Sequence, residues 1–100
     1  MRRGTTSTGF VYEYDEARLD DMRLLDQLIV ITDEDAGELD QILAVSRAIL
    51  MLLGAEGKAA LYAHIGQSHD GRVPSRELTR ELGEIFRGED HEDRRAEKNG

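Results

Sequence analysis

Between Ile42 and Leu53 the chain reads ILAVSRAILMLL, apolar at every position except Ser46 and Arg47. Crossing a bilayer takes about 20 apolar residues, so this shorter run predicts a helix buried within a small domain. Leu39, Ile42, Leu43, Ile49, Leu50 and Leu53 form one broad stripe of that helix, while Val45, Ala48, Met51 and Leu52 cover much of the remaining circumference. A helix apolar nearly all round is either surrounded by neighbours or keeps one face as an interface. If a face stays open, Val45, Ala48 and Leu52 are the expected site of partner binding or self-association.

The flanking patterns supply the neighbours. Phe10, Tyr12 and Tyr14 alternate with Val11, Glu13 and Asp15, the period-two signature of a half-buried strand, and Thr8-Gly9 is a turn pair that makes a hairpin with the preceding TTST. A first helix is expected to start at Asp20, with Leu19 and Leu24 as a hydrophobic staple and Met22, Leu25, Leu28 or Ile29 and Thr32 on its inner face. Leu28 to Ile31, LIVI, leaves helix and buried strand open. Asp35 with Glu38 three residues later resembles a capping box for a second helix, Ala36 to Leu53, which Gly54 ends. A third helix follows over Ala55 to Ile65, with Leu61 and Ile65 on one side and Gly66 as its stop. Asp70 and Gly71 form the next turn, Val73-Pro74 leads out of it, and Ser75 caps a fourth helix. There Leu78, Leu82, Ile85 and Phe86 share one face, and Arg76, Glu77, Arg80, Glu81 and Glu84 lie outside it.

The expected fold is therefore mainly α, about four helices around a central apolar helix, with a short N-terminal strand or hairpin. Residues 1–9 read as a flexible arm or first hairpin arm and 10–88 as one helical domain. Residues 89–100 contain no apolar side chain but Ala96 and read as a disordered acidic tail.

Composition narrows the function. One hundred residues support a single core. The formal net charge is −8, and residues 10–40 hold eleven acids against Arg18 and Arg23, a balance of −9. That half should repel nucleic acid. No nucleic-acid or membrane partner is expected, and MRRGTTSTG lacks the apolar core of a secretory signal. Without cysteine there is no disulfide or thiolate chemistry, which fits a reducing compartment. His64 and His69 straddle a helix end and His91 lies in the tail, so no metal-binding pair at helical spacing exists and neither metal nor cofactor is expected. The run Gly66 to Glu77 places Gly71 and Glu77 as a calcium loop would, but begins on Gly66 instead of an acid. Ser7, Ser46, Ser68 and Ser75 sit in no nucleophile elbow, so no catalytic residue is assigned and the chain is read as a non-enzyme.

Three stretches, GFVYEYDEARLDDMRLLDQL, LLGAEGKAALYAHI and DGRVPSRELTRELGEIF, with a closing KNG, resemble the small tail assembly chaperones of long-tailed phages and prophages of Gram-positive bacteria. The resemblance spans about residues 9–86, and its most specific parts are LDDM, Leu53-Gly54, Leu61-Tyr62 with His64, and Asp70 to Pro74. It implies a non-enzymatic protein of the bacterial host cytoplasm that binds the long helical tape measure protein, shields its apolar repeats, helps tail assembly begin and tends to self-associate. The alternative is a small helix-turn-helix DNA-binding regulator, with Arg72, Arg76 and Arg80 facing phosphates and Glu77, Glu81 and Glu84 opposing them. A third reading, an acidic inhibitor or nucleic-acid mimic, rests on the −9 segment.

Overall fold

The computed structural model describes residues 1–91. Strands β1 (Arg2–Thr5) and β2 (Val11–Tyr14) form an antiparallel hairpin in which Gly4 faces Tyr12 and Thr5 faces Val11. The aromatic alternation does what its period predicts: Phe10, Tyr12 and Tyr14 are buried, and Val11 and Glu13 face outward. Gly4 is a close-approach position. A Cβ there would lie 2.5 Å from the Tyr12 hydroxyl and 2.7 Å from the Glu89 carbonyl oxygen, where the Tyr12 hydroxyl donates to that carbonyl at 2.7 Å.

Asp15 then caps a 3-10 turn, Glu16–Asp20, by accepting from the Ala17 N–H at 2.9 Å. Helix α1 (Met22–Thr32) follows and includes Leu28 to Ile31, so that stretch is helix and not strand. Its cap is Asp21, whose side chain accepts from the Arg23 N–H, one residue later than the sequence predicted. The 3-10 turn displaces it, because Asp20 is consumed as the last residue of that turn. Along α1, Leu24 is fully buried, Leu28 and Ile31 pack on the core, and Met22, expected on the inner face, is exposed together with Ile29.

Helix α2 (Glu38–Gly66) carries the expected second and third helices as two arms. Gly54, at φ 78° and ψ 175°, breaks it in a conformation open essentially to glycine alone. The break frees carbonyls at the end of the first arm. Arg18 takes them, its guanidinium donating to Met51 O at 2.9 Å and Leu52 O at 3.5 Å. The predicted cap at Asp35 is not formed: Gly37 holds the cap position with no side-chain bond, and the Asp35 N–H instead donates to Asp33 Oδ1 at 2.9 Å. Residues 33–37 are needed for the reversal, which Gln41 closes by donating to Asp33 O at 2.7 Å.

Helix α3 (Ser75–Phe86) starts from Pro74, whose fixed φ of −60° occupies the cap position; Ser75 is the first helical residue and not the cap. The preceding turn has Asp70 at φ 56° and Gly71 at φ 83°. Leu24, Ala48, Ile49, Leu52, Leu61 and Ile85, none with measurable exposure, are the centre of the core. Helix α1 packs chiefly along α2, whose other main neighbour is α3.

Candidate functional site

Ala44, Val45, Ala48, Ile49 and Leu52 are the buried positions of the first arm of α2. The expected partner residues Val45, Ala48 and Leu52, at 3%, 0% and 0% exposure, thus lie inside the domain, and of the three only Val45 borders a surface groove. The opposite stripe is the open one: Leu39, Leu43 and Leu50 are 67%, 42% and 44% exposed. Spacings of four and seven residues keep these three leucines on one helix face. On α1, Met22 and Ile29 repeat the seven-residue spacing and are likewise exposed. The reason for the inversion is size, because Ala44 and Ala48 let neighbouring elements approach the axis more closely than a leucine face would.

Beside Leu43 the two arms of α2 and the start of α3 enclose an apolar groove of about 240 Å³, lined by Ile42, Leu43, Val45, Ser46, Tyr62, Val73, Ser75 and Leu78. The polar groups that α2 brings to it are spent on one another. Lys58 Nζ donates to Ser46 Oγ at 2.9 Å, Ser46 Oγ lies 3.2 Å from the Tyr62 hydroxyl, and the ammonium sits 5.3 Å from the Tyr62 ring centroid. This bridge ties the second arm to the first across the break at Gly54. What remains on offer is apolar and sized for a side chain or two of a docking helix.

A second cavity, also about 240 Å³, is polar and lies where the hairpin turn meets α3. Thr8, His64, Ser68, His69, Glu77, Arg80 and Glu81 line it. Thr6 Oγ1 donates to Glu81 Oε1 at 2.8 Å, and Thr8 Oγ1 lies 3.1 Å from both Glu81 oxygens and 3.0 Å from His64 Nε2. Ser7 donates twice to Glu84, from its N–H at 2.7 Å and its hydroxyl at 2.8 Å. Glu81 and Glu84, placed outside the apolar face by the sequence, are thus buried at 1% and 5% exposure. Their signal was the TTST turn itself, a run of hydroxyl donors with nothing else to satisfy. A Thr–His–Glu grouping invites a nucleophilic reading. Here, however, His64 and Glu81 both contact the hydroxyl, and the carboxylate does not orient the imidazole as a triad requires. The grouping works as a latch for the hairpin.

Burial pushes the Tyr12 phenol up, reinforced by Tyr14. Glu89 is held below the usual carboxylate range, first by the Arg87 hydrogen bond. Residues Glu89 to His91 do not begin a free tail: Asp90 Oδ1 accepts from the Thr5 N–H at 3.2 Å, and His91 Nε2 lies 3.1 Å from Glu84. The rest of the expected tail lies outside the described residues. The helix-turn-helix reading requires a turn of three or four residues, whereas Gln67 to Pro74 separates the second arm of α2 from α3, and Arg80 is paired with Glu77. No helix among the described residues is long and apolar enough to cross a membrane. No protein-family model, curated protein or solved structure matches this chain.

Proposed function

We propose that this domain is a phage tail assembly chaperone that binds an amphipathic helix of a tape measure protein and performs no chemistry of its own. The observation that carries the reading is the exposed leucine stripe, Leu39, Leu43 and Leu50, running beside the apolar groove under Leu43. Helix-in-groove recognition reads anchors at helical spacings, and a stripe with an adjoining groove is the receptor half of that mode. The net charge of −8 keeps a chain with such a face soluble between clients. The sequence resemblance of residues 9–86 supplies the class of client, and the same stripe supports self-association while the client is absent.

The test is co-expression with a phage tape measure protein. The native domain should keep the long helical protein soluble and co-purify with it, and Leu43→Asp should lose both effects while retaining its own melting transition. A client that is equally soluble with Leu43→Asp, or that never co-purifies with the native domain, removes the reading. Binding to duplex DNA that weakens steeply as salt rises would favour the regulator instead.

A further inference from the structure

We propose that Glu84, Glu89 and His91 form a site for a divalent transition-metal ion of the zinc class, which closes the segment after α3 against the hairpin. Glu84 comes from the last turn of α3, and the chain reverses at Gly88, φ 71°, to bring Glu89 and His91 back to it. His91 Nε2 lies 3.1 Å from Glu84 Oε1 and 3.2 Å from Glu89 Oε1, and all three donor atoms fall within 4.8 Å of one another. Ligands held about 2.0–2.2 Å from a tetrahedral ion are separated by roughly 3.4 Å, so the donors need to move little.

The outer oxygens are already fixed. Glu84 Oε2 accepts from the Ser7 hydroxyl at 2.8 Å, and Glu89 Oε2 accepts from Arg87 at 2.6 and 2.9 Å. Each carboxylate therefore turns Oε1 toward the imidazole, as outer partners orient metal ligands elsewhere. Glu84 Oε1 also accepts the Ser7 N–H at 2.7 Å, on a lone pair it can spare. Glu84 is almost fully buried, and beyond the two hydrogen bonds from Ser7 its one ion-pair partner among the described residues is His91, which is positive only when protonated. A buried carboxylate without a permanent positive partner is costly, and an ion meets that charge directly. His91 Nε2 lies between the two carboxylate oxygens, which is where the ion would sit. One imidazole and two carboxylates suit zinc, cobalt or nickel better than magnesium or calcium, which favour all-oxygen shells.

Titration calorimetry of the chelator-treated full chain with zinc chloride, paired with thermal melting, tests the site. One zinc ion should bind per chain and raise the melting temperature, and excess magnesium should not displace it. His91→Ala and Glu89→Gln should each weaken binding by at least about tenfold, the scale of losing a ligand-shell contact, with the fold intact by circular dichroism. Glu84 also anchors Ser7, so these two more exposed ligands are the deciding substitutions. His64→Ala with His69→Ala should leave affinity unchanged. Absence of zinc binding, binding indifferent to His91→Ala and Glu89→Gln, or binding lost with the His64 and His69 pair would each overturn the proposal.

Discussion

Thr6→Val removes one hydroxyl from the most enclosed polar contact in the domain and keeps the side chain's shape. Thr6 has no measurable exposure, so no water replaces what is lost. Its hydroxyl donates to Glu81 Oε1 at 2.8 Å and accepts from the Phe10 N–H at 3.2 Å, so one atom serves both α3 and the hairpin turn. A hydrogen bond to a charged group contributes about 1.5–3 kcal/mol, and leaving a buried donor unpaired costs about 1–3 kcal/mol. The valine methyl recovers about 0.8 kcal/mol of apolar burial, so the expected net loss is about 3 kcal/mol. For a domain of this size that lowers the melting temperature by about 12–24 °C. Urea unfolding followed by far-ultraviolet circular dichroism measures it, with Thr8→Val as the comparison. Thr8 is exposed, water can replace its contacts, and its loss should stay below about 1 kcal/mol. If Thr6→Val costs no more than Thr8→Val, the hairpin is held by its aromatic face alone and the buried carboxylates are not a latch.

The other expectations are separable. Gly54→Ala meets no atom within 4 Å, so its cost, about 1–3 kcal/mol in urea unfolding, is purely the backbone conformation at φ 78°; a neutral substitution would mean that the break is not held there. Leu50→Asp, on the open stripe, should change stability by less than about 0.5 kcal/mol, whereas Ile49→Asp next to it, fully buried, should cost more than about 4 kcal/mol or prevent folding; equal effects would place α2 in the wrong rotation. Asp21 is held below the ordinary carboxylate range, first by the Arg23 side-chain hydrogen bond and then by the Arg23 N–H. A depressed folded-state value stabilises above the ordinary range, and that stability is lost as pH falls through the lowered value. Arg23→Met should therefore raise the Asp21 titration midpoint read by NMR, and an unmoved midpoint would refute the assignment.

Much of the architecture is legible in the chain. The aromatic alternation at Phe10, Tyr12 and Tyr14 names the buried face of the hairpin, Gly54 marks the break in the long helix, and Leu78, Leu82 and Ile85 mark the inner face of α3. Rotation and partnership are not legible, for two physical reasons. On α2 the apolar residues surround the axis, so the moment of the pattern is weak and steric fit decides the buried side; Ala44 and Ala48 win because close approach is possible there and not over Leu39 or Leu43. On α3, Glu81 and Glu84 read as solvated because a carboxylate is normally exposed. The partners that make their burial tolerable, Thr6, Ser7 and Thr8, lie at the other end of the sequence, where only topology brings them across. His91 meets Glu84 through the local reversal at Gly88 beyond the end of α3, a spacing that matches no helical ligand pair, so a metal-ligand search by helical spacing passes over it.

The two sides of α2 then divide the work of the domain. Its inner side is committed: Ile49 and Leu52 have no measurable exposure, and Arg18 and the Lys58–Ser46–Tyr62 bridge fix the bend at Gly54 from opposite ends. Its outer side contributes little to the monomer, because an exposed side chain can be replaced at a cost within about 0.5 kcal/mol. The unused apolar area of Leu39, Leu43 and Leu50 is nevertheless worth about 25 cal/mol for each Å² removed from water, and only a second surface can collect it. The bend determines where that surface must sit, since it opens the groove between the arms immediately beside Leu43. A helix laid along the stripe places one side chain in the groove and rests its neighbours on the leucines. Straightening α2 would remove the groove and leave the stripe, so affinity for the proposed helical partner should depend on Gly54 even though Gly54 does not line the groove.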